Sequence, residues 1–455
     1  MTLVLIQLFV VLAMIFIGAR LGGIGLGIYG MVGVAILVFG FGLQPGKLPI
    51  DVMLIIVSVI TAAAALQAVG GLDYMVGLAA RFLKNHPDQI TYYGPLTCWL
   101  FCLVAGTAHT CYSLLPIISE IATARKIRPE RPLAVATIAA SLGITGSPVS
   151  AATAALISTE LLGGSGVELS DILLVCIPSS FVAILVASFV QNRVGRELDD
   201  DPEYKARVED GTIDPVRDAS ILEAMETHPD PRARRSVIVF LLAVAAVVTY
   251  GSVPSLRPAF PTGEGGELVA MPMSEIIEIV MMASAAFILL AGSSPQSGGS
   301  RGAVKVAARG SVFRAGMNAM VGIFGIAWMG DTYFSGNLEF YQTHIAGLVT
   351  QYPVLFAAAL FVMSIMLFSQ AATVRTLYPL GLSLGLSPLS LVAMFPAVNG
   401  YFFFPNYPTE VAAINFDRTG STRVGRWVVN HSFQLAGFIT TFVSIGLGYL
   451  IISFM

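Results

Sequence analysis

Arg375 is the one basic residue of the 25 in this chain that falls deep inside an apolar stretch away from any loop. A guanidinium at the centre of a membrane helix costs at least about 2.5–3.5 kcal/mol on insertion scales, so such a group must be paired or functional. Its planar fork suits two-pronged binding of a carboxylate. A structural pair with Glu120, Glu160 or Glu410 is the alternative, and those three acids are also the candidates for carrying a proton there. Two short motifs lie in similar surroundings, Gly106-Thr107-Ala108-His109-Thr110 and Ser369-Gln370-Ala371-Ala372-Thr373, each small and hydroxyl-bearing. As turns of re-entrant hairpins they would expose unpaired backbone at mid-membrane depth, which is tolerated only where protein or a water-filled cavity satisfies it. The helix after such a turn aims its positive end into the cavity and favours an anion. Two further interruptions, Gly143 to Pro148 and Asn399-Gly400 with Pro405 to Thr409, break the apolar segments that follow, and their carbonyls and hydroxyls would face the same depth. The candidate binding residues are therefore Thr107, His109, Thr110, Thr145, Gly146, Ser147, Gln370, Thr373, Arg375, Asn399, Gly400, Asn406 and Thr409.

Other suggestive groupings have simpler readings. Gly25-Leu26-Gly27-Ile28-Tyr29-Gly30 fits G-x-G-x-x-G, but no strand precedes it, and between two apolar spans it reads as close helix packing through small residues. Cys98, Cys102, Cys111 and Cys176 all lie in apolar segments and read as small buried hydrophobes; no His or carboxylate beside them completes a metal site. His109 and Tyr112 lack an orienting acid, so no hydrolase signature forms. Phe402-Phe403-Phe404 reads as packing, and Asp417-Arg418 with Ser421 as a charged helix cap. No catalytic residue, metal or cofactor is expected.

The elements that must position these residues follow from composition. The chain has 455 residues, 55% apolar and only 12% charged, against about 25% charged in ordinary globular proteins. The stretch from Gln191 to Arg235 alone holds 8 basic and 12 acidic residues, so the remainder cannot cover a soluble surface. Soluble enzymes, secreted disulfide scaffolds and nucleic-acid binders are excluded. The expected fold is an all-α polytopic membrane protein. Uninterrupted spans are expected at Leu3 to Ala19, Ile24 to Leu43, Val52 to Val69, Leu169 to Val190, Ser236 to Gly251, Met273 to Ala291, Val312 to Met329 and Val424 to Phe454. Interrupted ones are expected at Gln89 to Ala124, Leu133 to Leu162, Pro353 to Leu386 and Leu389 to Ile414. The first segment lacks a basic leader and is followed by Arg20, which reads as an uncleaved span.

The halves repeat. Leu72-Asp73-Tyr74 followed by Pro87 matches Leu338-Glu339-Phe340 followed by Pro353, with an amphipathic stretch in each interval. Thr110, Leu114 and Pro116 match Thr373, Leu377 and Pro379. Pro132-Leu133 with Pro148 fall near Pro388-Leu389 with Pro405. If each half has three spans, a hairpin returning to its own side, one broken span and a last span, it crosses five times, so the halves are inverted. With the N-terminus outside, inside loops collect 22 of the 25 basic residues and outside loops only Lys47 and Arg257, as the positive-inside rule requires. This gives about ten crossings, with domains 1–190, a cytoplasmic charged linker 191–235, and 236–455; the hairpins cover about 89–124 and 353–386, the broken helices about 133–162 and 389–414.

The run Gly106-Thr107-Ala108-His109-Thr110 with its following Leu-Leu-Pro, the run Arg131-Pro132-Leu133 through Gly146-Ser147-Pro148-Val149-Ser150, and Phe404-Pro405-Asn406-Tyr407-Pro408-Thr409 through Phe416-Asp417-Arg418 resemble the anaerobic C4-dicarboxylate transporters, the Dcu family. The resemblance covers nearly the whole chain. It implies a carrier of fumarate, succinate, malate and aspartate in the bacterial inner membrane, exchanging one dicarboxylate for another during anaerobic respiration, and an elevator mechanism in which hairpins and broken helices move against a scaffold. Its implied partners are the dicarboxylate anions and the lipid bilayer; a homodimer is compatible with it, and nucleic acid is not expected. A Na⁺- or H⁺-coupled symporter and an anion channel are the competing readings. The topology is testable by cysteine labelling in intact and permeabilised cells. Positions in 191–235 should react only after permeabilisation and both termini from outside; labelling of the linker in intact cells would overturn the inverted arrangement.

Overall fold

The computed structural model describes all residues except 1, 22–23, 49, 212, 214–229, 263–266, 295–297, 406 and 425–429, and the side chains of Ala19, His109, Thr262 and Glu267. Among the described residues the regular structure is helical apart from a two-stranded antiparallel ribbon, Ala259–Thr262 against Glu267–Ala270, which the sequence reading did not anticipate. Six described helices are long and apolar enough to cross a membrane: Ile50–Ala68, Leu169–Gln191, Pro231–Ser252, Met273–Gly292, Ser311–Gly336 and Gln434–Ile452. The bent pair Pro388–Phe403 and Pro408–Phe416 passes the same test, and shorter apolar helices occur at Thr2–Gly18, Gly25–Gly40 and Val354–Leu367. Lipid offers the backbone no partners, so the apolar segments close their hydrogen bonds internally as helices. The last helix begins at Gln434 rather than near Val424, because Arg423 and Ser432 close a loop, Ser432 N–H donating to the Arg423 carbonyl at 3.1 Å.

Both expected hairpins are helix–turn–helix units. Ile90–Ala105 ends at Gly106 in the left-handed conformation, φ 67°. A Cβ at Gly106 would also lie 2.6 Å from the Val149 carbonyl oxygen, so glycine is required there both by conformation and by close approach. A 3₁₀ segment, Ala108–Ser113, and the helix Leu115–Ala124 follow. In the second unit Val354–Leu367 ends at Phe368, whose φ is 49°. Ser369 then caps Gln370–Ser383 by accepting the Ala372 amide at 3.2 Å, the ordinary N-cap interaction. The two later interrupted segments each consist of successive helices separated by a break. The first comprises Glu130–Thr145 and Ala151–Leu156, the second of these capped by Ser150 through the Thr153 amide at 3.1 Å. The second passes from Pro388–Met394 through a 3₁₀ run in which Asn399 is non-helical, and resumes at Pro408.

The four cysteines are free and buried. The Cys111 and Cys98 sulfurs lie 3.2 Å apart and that of Cys102 lies 3.4 Å from the Thr110 hydroxyl, contacts inside the first hairpin.

At the end of the molecule that carries the basic loops, the beginning of the charged linker packs on the helical core. It forms a short helix, Pro202–Glu209, capped by Asp201. Buried Arg128 bonds both Asp201 and Glu130, the latter at 2.6 Å; Arg131 bonds Glu197 at 3.0 Å. Glu130 also accepts from the Ser432 hydroxyl at 2.7 Å, and its amide donates to Ser421 at 3.0 Å. Burial alone would push the Asp201 carboxyl up, but the Arg128 guanidinium and the Glu203 amide outweigh it and hold the group below the usual carboxylate range.

The G-x-G-x-x-G stretch is a helix crossing. On the helix Gly25–Ala35, a Cβ at Gly30 would lie 2.4 Å from the Gly325 carbonyl carbon, and one at Gly325 would lie 1.9 Å from the Gly27 oxygen, so the two backbones touch with no side chain between them. Gly325→Ala should therefore force the helices apart and destabilise the fold by about 1–3 kcal/mol, as overpacking does. A lower melting temperature in detergent would show this, with Gly446→Ala, where an added Cβ meets nothing within 4 Å, leaving it unchanged.

Candidate functional site

Both hairpin turns and both breaks converge on a cavity of about 580 Å³, within the 300–1,000 Å³ common for small-ligand pockets. The first hairpin contributes Gly106, Thr107, Ala108 and Tyr112, the second Phe368 and Ser369 through Ala372. The first break contributes Ile144, Ala151 and Ala152, and the second Tyr401, Tyr407, Pro408 and Thr409. The rest of the wall comes from other helices, with Leu26 on Gly25–Ala35 and Ala315, Asn318 and Gly322 on Ser311–Gly336.

The electrostatics of this cavity come from backbone and neutral side chains. No described lining residue carries a formal charge. Two helices begin at its wall, Gln370–Ser383 and Pro408–Phe416, and the first amides of a helix have no intrahelical acceptor. A helix N-terminus favours an anion by about 0.3–1 kcal/mol when exposed and up to about 2 kcal/mol when partly buried. The Gln370 amide is fixed by the Asn399 oxygen at 2.5 Å, the Ser141 carbonyl at 2.8 Å and the Tyr401 hydroxyl at 3.1 Å. Tyr401 stacks on Tyr407 with ring centroids 4.2 Å apart, and Phe368 stacks on the far side of Tyr407 at 6.2 Å. The result is a neutral chamber with Tyr112, Phe368, Tyr401 and Tyr407 in its lining and positive backbone ends at its wall, suited to a small anion that keeps its apolar middle against rings.

Of the candidate residues, Thr107, Gln370 and Thr409 line the cavity. The His109 side chain and Asn406 lie outside the described residues. Asn399 stands behind the wall, orienting Gln370. Four hydroxyls serve their own backbone instead of the cavity. Thr110 donates to the Thr107 carbonyl at 3.2 Å, Thr145 to Leu142 at 2.7 Å and Thr373 to Ser369 at 2.8 Å, while Ser147 accepts the Val149 amide at 3.3 Å. Gly146 packs toward Ile177. The Gly400 amide donates to the Ser364 hydroxyl at 2.8 Å, and a Cβ there would meet the Phe361 oxygen at 2.5 Å.

Arg375 is absent from the cavity wall as well. It is 7% exposed and donates to Glu160 at 2.7 Å, which places it in the structural pair that the sequence left as an alternative. Glu160 is the acid chosen because the chain leaving the first broken helix passes the second hairpin there. Tyr112, Tyr401, Tyr407, Ser369 and Asn318 were not among the candidates. Asn318 had a signal, since it is a lone amide inside an expected span, and polar groups in such spans tend to face a cavity.

Comparison with known proteins covers the chain almost end to end. The family described as anaerobic C4-dicarboxylate membrane transporter matches residues 3–455. The C4-dicarboxylate transporter DcuA of Wolinella succinogenes is 36% identical over 448 residues, covering 98% of each chain. The anaerobic C4-dicarboxylate transporter DcuB of Escherichia coli O6:H1 is 38% identical over 455 residues, covering 98% of this chain and 97% of the relative. Among solved structures, that of the Alcanivorax borkumensis YdaH transporter aligns with 88% of this chain and 85% of its own, at 14% identity and a TM-score of 0.48. The chain belongs to the anaerobic C4-dicarboxylate membrane transporter family.

Proposed function

We propose that this protein is a secondary transporter of C4-dicarboxylates such as fumarate, succinate, malate and aspartate, working by exchange across the bacterial inner membrane. The observation that carries this reading is the convergence of two helix N-termini, with hydroxyl and amide side chains, on one cavity whose described lining holds no formal charge. Family membership supplies the substrate class. One carboxylate is assigned to the first amides of Gln370–Ser383, the other to Thr409 and Thr107, and the carbon chain to the tyrosine stack. The hairpins and broken helices are read as the moving elevator unit of two inverted halves, 1–190 and 236–455. The remaining helices are the scaffold that presents Asn318, giving about ten crossings with both termini periplasmic. A cation-coupled symporter shares this architecture and differs in its energy source; a channel would pass substrate without saturation.

Proteoliposomes loaded with fumarate should take up labelled succinate faster than empty ones, saturably and without any ion gradient. Equally fast accumulation in empty vesicles under a Na⁺ gradient would replace exchange with symport, and non-saturable flux would point to a channel. Thr409→Val should weaken succinate binding roughly ten- to a hundredfold, the value of losing a hydrogen bond to a charged group.

The Arg375–Glu160 pair is read as holding the second hairpin against the first broken helix. Removing one partner of a buried pair is destabilising by about 3–5 kcal/mol, reduced here by the 30% exposure of Glu160. Arg375→Gln alone should lower the melting temperature in detergent, and Glu160→Gln with Arg375→Gln should restore it together with near-normal succinate affinity. A stable double variant that still binds succinate more than about tenfold more weakly would return Arg375 to the binding site.

A further inference from the structure

Glu410 is the second residue past Pro408, next to the cavity-lining Thr409, and is 1% exposed. Its carboxyl accepts the Tyr407 backbone amide, while Oε2 has no hydrogen-bond partner. Its surroundings offer no counter-charge among the described residues. Tyr112, from the Ala108–Ser113 segment, and Tyr401 and Tyr407, from its own broken helix, are the titratable groups on which its charge acts. The packed helix Leu115–Ala124 adds another acid, Glu120. The packed helix Glu130–Thr145 carries charge only at its far end, where Glu130 and Arg131 are engaged with Arg128 and Glu197. The segment Ala108–Ser113, packed against the same helix, also carries His109, whose side chain lies outside the described residues. Among the described groups, phenols and a second carboxylate give an ionised Glu410 nothing to pair with.

An isolated buried carboxylate is so unfavourable that such groups take up a proton instead. A dicarboxylate dianion in the adjoining cavity would raise the penalty further, since like charges at close range in a low dielectric repel strongly. From this geometry we infer that Glu410 is a proton-binding site coupled to the dicarboxylate site: the anion binds tightly only when Glu410 is neutral, and by reciprocity the bound anion holds the proton on Glu410. The inference rests on the reading of the cavity as a dicarboxylate site. It makes the loaded carrier a dicarboxylate–proton complex. In exchange the proton stays with the carrier while anions swap; in net movement one proton travels with each dianion.

Fumarate binding to the purified full-length protein in detergent tests this, read as affinity between about pH 6 and pH 10 and as proton uptake from a weakly buffered dye solution. For the wild type, affinity should be level at the acid end, where the empty protein already holds the proton, and should fall toward the alkaline end, approaching tenfold per pH unit once Glu410 is ionised in the empty protein; over that alkaline range each fumarate bound should take up a proton. Glu410→Gln should bind with an affinity that no longer follows pH and should take up none. Glu410→Asp, which keeps the carboxyl, should retain both responses and stands in if the Gln variant does not fold. PH-independent affinity in the wild type, or a Gln variant as pH-sensitive as the wild type, overturns the proposal. Absence of fumarate and succinate binding by the wild type at every pH would instead overturn the dicarboxylate reading of the cavity.

Discussion

Backbone that leaves a helix at mid-membrane depth must find its hydrogen bonds inside the protein, and most of the polar chemistry near the site follows from that demand. Ser369 supplies an acceptor for the Ala372 amide, Ser150 for Thr153, Ser147 for Val149 and Ser364 for Gly400. Ser369, Ser150 and Ser147 each serve a backbone group within three residues of themselves without widening the turn, whereas Ser364 reaches Gly400 from 36 residues away. At the start of Gln370–Ser383 the Ala372 amide is met in this way, and Gln370 and Ala371 beside it line the cavity. The positive character of the site comes from that helix end.

The same demand explains which parts were readable beforehand. Segments such as Leu169 to Val190 and Met273 to Ala291 announce themselves by length and hydropathy, and the turns at Gly106 and Ser369 by small polar residues where lipid forbids them. The sharing of one cavity by two turns and two breaks was likewise legible, because the repeat put them in matching places. The sequence could not tell Thr110, Thr145, Ser147 and Thr373 from Thr107 and Thr409, since a hydroxyl that bonds its own helix and one that faces a cavity have the same spacing. Nor could it choose among three acids for Arg375: Glu160 stands 215 residues away, and only the folded arrangement of hairpin and broken helix selects it. The ribbon Ala259–Ala270 was missed because its strands are four residues each and contain a proline.

The linker shows how a charged segment can be part of an otherwise apolar machine. Arg128, Glu130 and Arg131 begin the first broken helix, Ser421 and Ser432 follow the second, and Asp201 and Glu197 come from the linker. One ionic cluster therefore ties residues from both halves to the segment that joins them. Arg128, Glu130, Arg131 and Asp201 are largely buried, so their charges are compensated locally, while Glu197 reaches Arg131 from the surface; the two broken helices share an anchor at one end while their unwound middles meet at the cavity.

The contact between Gly27 and Gly325 has a mechanical meaning. Interfaces lined by side chains can exchange one set of rotamers for another, and that exchange is what lets packed helices slide by small steps. Where main chain rests on main chain there is nothing to re-sort: the joint has a single seating, and departures from it open a void instead of finding a new fit. Such a joint behaves as a weld in the wall that carries Asn318, so one face of the cavity keeps its shape whatever the facing hairpins do.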